Sequence, residues 1–190
     1  VNSKNTAIRG KDSVKIGQNA NITITSVGDA IKSSNDTESG LGVIVVTGGT
    51  IQIHSGEDGL EAISSLVIKA GNFDFTTGSG KQVTSNTSYK AIKCDGTVSI
   101  SGGSFVINSA DDAIHCNENL SISGGTFDIT SNDDGIHADA SVNISGGAIT
   151  IKKSYEGIEG KDISISGGEI RITASDDGMN SAGGTDTGNQ

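Results

Sequence analysis

The sequence predicts an all-β fold, a right-handed parallel β-helix of about seven to eight coils. Three observations carry this reading. Ile92, Ile114, Ile136 and Ile158 recur every 22 residues, with Met179 21 residues further on. Between them apolar and polar residues alternate, the period of a strand with one buried face. Each repeat is also punctuated by Ser-Gly-Gly, beginning at Ser101, Ser123, Ser145 and Ser166, which marks a turn.

The register extends upstream to Ile8, Ile31 and Leu60, giving intervals of 23, 29, 32, 22, 22, 22 and 21. Two coils are therefore enlarged. Their extra residues are polar and fall near Ser33–Gly42 and Thr77–Ser88, where insertions in repeat proteins project from one face. Three strands per coil are expected. The first carries Ile136 and Ala138 inward, the second Val142 and Ile144, the third Ile149 and Ile151. Stacked coils place equivalent residues about 4.8 Å apart. Columns follow: Val98/Leu120/Val142, Ile100/Ile122/Ile144/Ile165, Phe105/Phe127/Ile149/Ile170 and Ile107/Ile129/Ile151/Ile172. A one-residue slip would turn each column outward, which fixes the register. Right-handedness is expected because connections between parallel strands of one sheet are overwhelmingly right-handed. Residues 1–182 are read as one β-helix domain and 183–190 as a flexible tail or linker.

Composition agrees with a narrow solenoid. Only 33% of the 190 residues are apolar and 3% aromatic, too few for a wide central core. Glycine is abundant at 28 and proline is absent. The formal net charge of −10, without a basic stripe, argues against nucleic acid. No apolar run approaches the roughly 18–20 residues of a membrane span. Richness in Asn, Thr, Ser and Gly points to secretion or the cell surface. Cys94 and Cys116 are one period apart. At strand spacing they could form a disulfide or remain two buried thiols in a small-residue column.

The chemistry lies in acidic columns. Asp29, Asp58, Asp112, Asp134, Glu156 and Asp177 each stand just before the Gly/Ala that precedes the first strand. Glu57, Asp111, Asp133 and Asp176 stand one residue earlier. Lys90, Tyr89 and Tyr155 interrupt these columns. Two carboxylates at coil spacing repel by roughly 3–4 kcal/mol at an effective dielectric near 20. Such a ladder needs protons, water or cations, and its oxygen density suits Ca²⁺. Each aspartate alone could equally cap a turn through its side chain. The residue after each isoleucine is expected to face outward. That column contains Lys32, Glu61, Lys93, His115, His137 and Glu159, with Asp139 nearby. The histidines read more naturally as surface partners of carboxylates than as metal ligands. Tyr89 and Tyr155 are expected to be exposed aromatics.

The run Asp133-Asp134-Gly135-Ile136, with Glu57-Asp58-Gly59-Leu60-Glu61 and Asp176-Asp177-Gly178-Met179, resembles the calcium segment of family 9 pectate lyases. Combined with Ser-Gly-Gly, the repeated Asp-Asp-Gly-Ile-His pattern is more similar to a family of secreted β-helix proteins that bind cellulose and acidic sugars. The resemblance spans roughly Ile8 to Asn180. It implies Ca²⁺ at Asp29, Glu57, Asp58 and Glu61, with Lys93 in the position of a lyase base. Glutamate stands at two positions where the lyases carry aspartate. A second oxygen-rich cluster is expected around Asp134, Asp139, Glu156 and Glu159, and the remaining acids would tie adjacent coils.

Three functions follow as expectations. The first is noncatalytic, calcium-dependent binding of cellulose or polygalacturonate, with Lys32, Lys93, His115, His137, Tyr89 and Tyr155 touching the sugar. The second is a pectate lyase with Lys93 as base. The third is a structural or adhesive cell-surface solenoid.

Overall fold

The computed structural model describes residues 1–79, 81–84 and 86–181. These residues form 21 strands, which stack in parallel coil on coil. The expected three-strand coil is seen in Ile92–Cys94, Thr97–Ile100 and Ser104–Ser109, and again in Ile114–Cys116, Asn119–Ile122 and Thr126–Ser131. The fold is a parallel β-helix.

The third strands form their own eight-stranded sheet, from Asn2–Ser3 to Glu169–Ile172. The first and second strands do not form sheets of their own. They join in one 13-stranded sheet, because Ile136–Ile144 and Ile158–Ile165 run through both positions. A register shift between Ala138 and Ser141 takes up the corner without leaving the sheet.

The side-chain columns stack as the alternation requires. Ile92, Ile114, Ile136 and Ile158 are register partners and fully buried. Phe73, Phe105 and Phe127 stack with successive ring centroids 4.6 Å apart. Each such side chain contributes about 1.5–3 kcal/mol on burial. Gly125, the second glycine of a Ser-Gly-Gly turn, has a φ of 107°, a conformation that favours glycine. Cys94 and Cys116 are register partners, but both are free and buried. Burial pushes both thiols up to about 12.

Both inserts lie where the spacing placed them. One follows the strand Ile31–Ser33, the other the strand Asn72–Thr77. In the first, the Asn35 side-chain carbonyl accepts from the Thr37 and Glu38 amides and holds the turn. The expected tail, 183–190, lies outside the described residues.

Candidate functional site

The acidic columns run along the corner between each third strand and the next first strand. The corner is tight. A Cβ on Gly135 would lie 2.6 Å from the Gly157 carbonyl oxygen of the next coil, and one on Gly59 2.5 Å from that of Ala91. Glycine is needed in these two coils, whereas Ala30, Ala91 and Ala113 hold the same place elsewhere and bury their small side chains.

The acid before it performs two tasks with its two oxygens. The inner oxygen caps the next coil. Asp29 Oδ1 accepts from the Asp58 amide at 3.3 Å, and Asp58 Oδ1 from the Lys90 amide at 2.8 Å. Asp112 Oδ1 accepts from the Asp134 amide at 3.0 Å, and Asp134 Oδ1 from the Glu156 amide at 3.1 Å. The outer oxygen, Oδ2, meets the side chains of the flank. Turn capping and charge presentation are thus one arrangement rather than alternatives.

At the N-terminal end of this flank, Asp29, Asp58 and Glu61 bring one ligand atom each within 4.8 Å of one another. Two ammonium groups partly neutralise them. Lys32 pairs with Asp29 Oδ2 at 3.3 Å and hydrogen-bonds Glu61. Lys93 lies 3.4 Å from Asp58 Oδ2 and 3.6 Å from Glu61. Burial and the Glu61 charge push Asp29 up to about 6. Burial also raises Asp58 despite Lys93. Glu61 moves down, because the two lysines outweigh its burial. Three hard oxygen donors with charge left over fit Ca²⁺ in donor type.

One coil further, Lys90 binds Asp111 at 2.6 Å and Asp112 at 2.9 Å. Burial opposes ionisation of Asp112, but Lys90 and His115 outweigh it and hold the carboxyl well below its usual range. Burial and the charges of Asp112 and Asp111 push neighbouring Asp133 up to about 6.

Beyond Lys90 the flank changes character. His115 Nδ1 lies 3.0 Å from Asp112 Oδ2. His137 Nδ1 lies 3.4 Å from Asp134 Oδ2 and 3.9 Å from Asp112 Oδ2. The two rings meet edge to face, 4.7 Å apart. Burial, the Asp112 charge and a bond with Glu159 raise Asp134 far above the usual carboxylate range. His115 moves up because Asp112 overcomes its burial, whereas burial keeps His137 down.

The structure brings together most of the expected residues, with corrections. Glu61 and Glu159 were expected to face outward but are buried under their neighbours. Tyr89, expected to be exposed, is buried, with Lys81 over its ring and Gly78 against its Cβ. Glu57 is exposed and belongs to none of the ligand groupings, though it lines the same pocket as Asp58. Asp139 stands at the outer edge of the histidine cluster. Asp176 and Asp177 are exposed on the last described coil. In the sequence Lys90 is visible only as an interruption. That break in an acidic column was the available sign of a built-in counter-ion.

The longer insert divides the flank. Its residues 86–88 wall a pocket of about 200 Å³ over Asp29, Asp58, Glu61 and Lys93. Its residues 81–83 border a groove of about 480 Å³ that reaches Asn132, Asp133 and Tyr155. Tyr155 is half-buried there.

Comparison with curated proteins and with solved structures returned no match. The model of a family described as carbohydrate-binding domain-containing protein matches residues 1–135 and 128–178, and the chain belongs to that family.

Proposed function

We propose that the protein is a noncatalytic binder of acidic cell-wall polysaccharide, with polygalacturonate held through calcium at Asp29, Asp58 and Glu61. The observation that carries this reading is the carboxylate triad opening into a pocket, with two lysines on its rim. A polyuronate would be repelled by a chain of net charge −10 unless cations bridged the two sets of carboxylates. Calcium would supply that bridge, and Lys32 and Lys93 would meet further uronate oxygens. Cellulose is the neutral alternative and would use the groove beside Tyr155, which Val83 and Ala110 also line. Such polymers lie outside the cell, so the reading places the protein in the secreted or surface fraction.

The lyase reading is weaker on one ground. Burial lowers the Lys93 pKa, but Asp58, Glu61 and Asp95 outweigh it and the group moves upward. It therefore stays an ammonium when no cation is present, the wrong form for a base.

Affinity electrophoresis in polygalacturonate, with calcium or with chelator, tests the proposal. Retardation should appear only with calcium and be lost in Asp58→Asn. Equal mobility in both gels would overturn it. Retention on cellulose alone would transfer the function to the groove. Ultraviolet absorbance from unsaturated uronides would instead establish cleavage.

A further inference from the structure

We propose that Asp112, His115 and His137, with Asp134 beside them, form a binding site for a divalent transition-metal ion of the zinc class, separate from the calcium triad. Two successive coils each supply an Asp-x-x-His segment, Asp112-Ala113-Ile114-His115 and Asp134-Gly135-Ile136-His137. The strands hold them in register, with Ile114 opposite Ile136 and His115 opposite His137. Both aspartates spend Oδ1 on the next coil's amide, which fixes the carboxylate and directs Oδ2 to the imidazoles.

The spacing suits one small ion. Ligands about 2.0–2.2 Å from a tetrahedral ion lie about 3.3–3.6 Å from one another. The observed separations are 3.0 Å for His115 Nδ1 to Asp112 Oδ2, 3.4 Å for His137 Nδ1 to Asp134 Oδ2, and 3.9 Å for His137 Nδ1 to Asp112 Oδ2. One ligand atom each of Asp112, His115 and His137 lies within 4.8 Å of the others, so small side-chain shifts bring these three to that spacing, with Asp134 or a water as the fourth. Lys90 shares Asp112 Oδ2, and its second partner, Asp111, is available to keep it when an ion enters.

The far side of the His115 ring is held as metal sites require, and that of His137 faces two carboxylates. A ligating histidine usually donates its other N–H to an oxygen, which fixes tautomer and orientation. His115 Nε2 lies 3.2 Å from Asn117 Oδ1. His137 Nε2 lies 3.5 Å from Glu159 and 3.6 Å from Asp139. In the tautomers with the proton on Nε2, both Nδ1 lone pairs would be free to face an ion beside the aspartates. A further observation comes from the same column. Glu156 follows Asp134 by one coil and keeps a buried Oε2 without a hydrogen-bond partner among the described residues. That part of the flank thus has acceptor capacity to spare. Imidazole nitrogen disfavours calcium and favours zinc, nickel or cobalt.

Cobalt(II) is the probe, titrated into chelator-treated full chain without polysaccharide. The expected result is one saturable equivalent with the intense visible band of four-coordinate cobalt. His115→Gln with His137→Gln should weaken that binding about 100-fold or more, while Asp58→Asn leaves it intact. The proposal fails if the parent shows no saturable band, if the double variant binds equally well, or if equimolar calcium displaces the cobalt. Should the variant misfold, nitrogen NMR of the parent with zinc decides. The Nδ1 signals of His115 and His137 should shift while those of His54 stay. Unmoved His115 and His137 signals would overturn the site. None of these readouts depends on sugar binding, so calcium-dependent retention can fail while the metal site stands.

Discussion

The lysine-filled triad at Asp29, Asp58 and Glu61 and the imidazole cluster at Asp112 and Asp134 are built on the same corner. In both, the inner aspartate oxygen caps the next coil and the outer one faces the flank. They differ in the column just after the buried aliphatic residue. There the first cluster has Lys32, Glu61 and Lys93, and the second His115, His137 and Glu159. Where aspartate stands in the column it caps the backbone, and the flank side chains of its own coil or a neighbouring one decide what the second oxygen meets. The first cluster has two ammonium groups among three carboxylates, whereas in the second Lys90 reaches Asp112 and Asp134 is left to a proton and His137.

Lys90 marks the border, and removing it tests how far each side depends on fixed countercharge. Its side chain is only 15% exposed and holds two buried carboxylates. Lys90→Met should destabilise the fold by about 3–5 kcal/mol, the cost of stranding buried charge. Urea unfolding measures it. A loss under 1 kcal/mol would mean that Asp111 and Asp112 are already satisfied by amides, and the border would dissolve.

The sequence made much of this legible, for a geometric reason. In a solenoid, period becomes adjacency, so the aliphatic columns, the phenylalanine stack and both inserts could be read from offsets. The acidic corner was legible in the same way, because one residue type recurs at one phase. Exposure was not. Glu61, Glu159 and Tyr89 are covered by side chains from other coils and by the insert, whose path no period specifies. Nor could spacing reveal which oxygen of each aspartate the backbone uses. The joining of two faces through Ile136–Ile144 was likewise hidden, since a bulge and a turn can occupy the same few residues.

pH separates the two kinds of counter-ion next. Asp29 and Asp133 sit at about 6 in the folded chain, against about 3.9 unfolded. The folded form holds these protons more tightly. Their contribution is complete below about pH 4 and is lost as pH rises through about 6. In chelator, the thermal midpoint should fall by a few degrees between about pH 5 and about pH 7.5. Raised His115 adds to the fall in that window, and depressed His137 opposes it. Saturating calcium should reduce the fall at Asp29, by replacing the proton with a cation. A midpoint that climbs over this range would show that the acids are already neutralised at every coil.

Lys93 gives the smallest effect and the finest distinction. It is 24% exposed and stands 3.4–3.6 Å from its partners, and Lys32, Ser88 and the Lys90 amide still serve Glu61 and Asp58 without it, so Lys93→Met should cost less than Lys90→Met, about 1–2 kcal/mol. The substitution also removes one competitor for Asp58 and Glu61. Calcium affinity should therefore rise a few-fold in titration calorimetry, while mobility in polygalacturonate changes little. The same variant divides binding from cleavage. If Lys93 only supplies countercharge, neither parent nor variant produces unsaturated uronide. If absorbance grows with the parent and stops with the variant, Lys93 loses its proton when calcium binds. The lysine-filled triad is then a reaction centre, unlike the imidazole cluster two coils away.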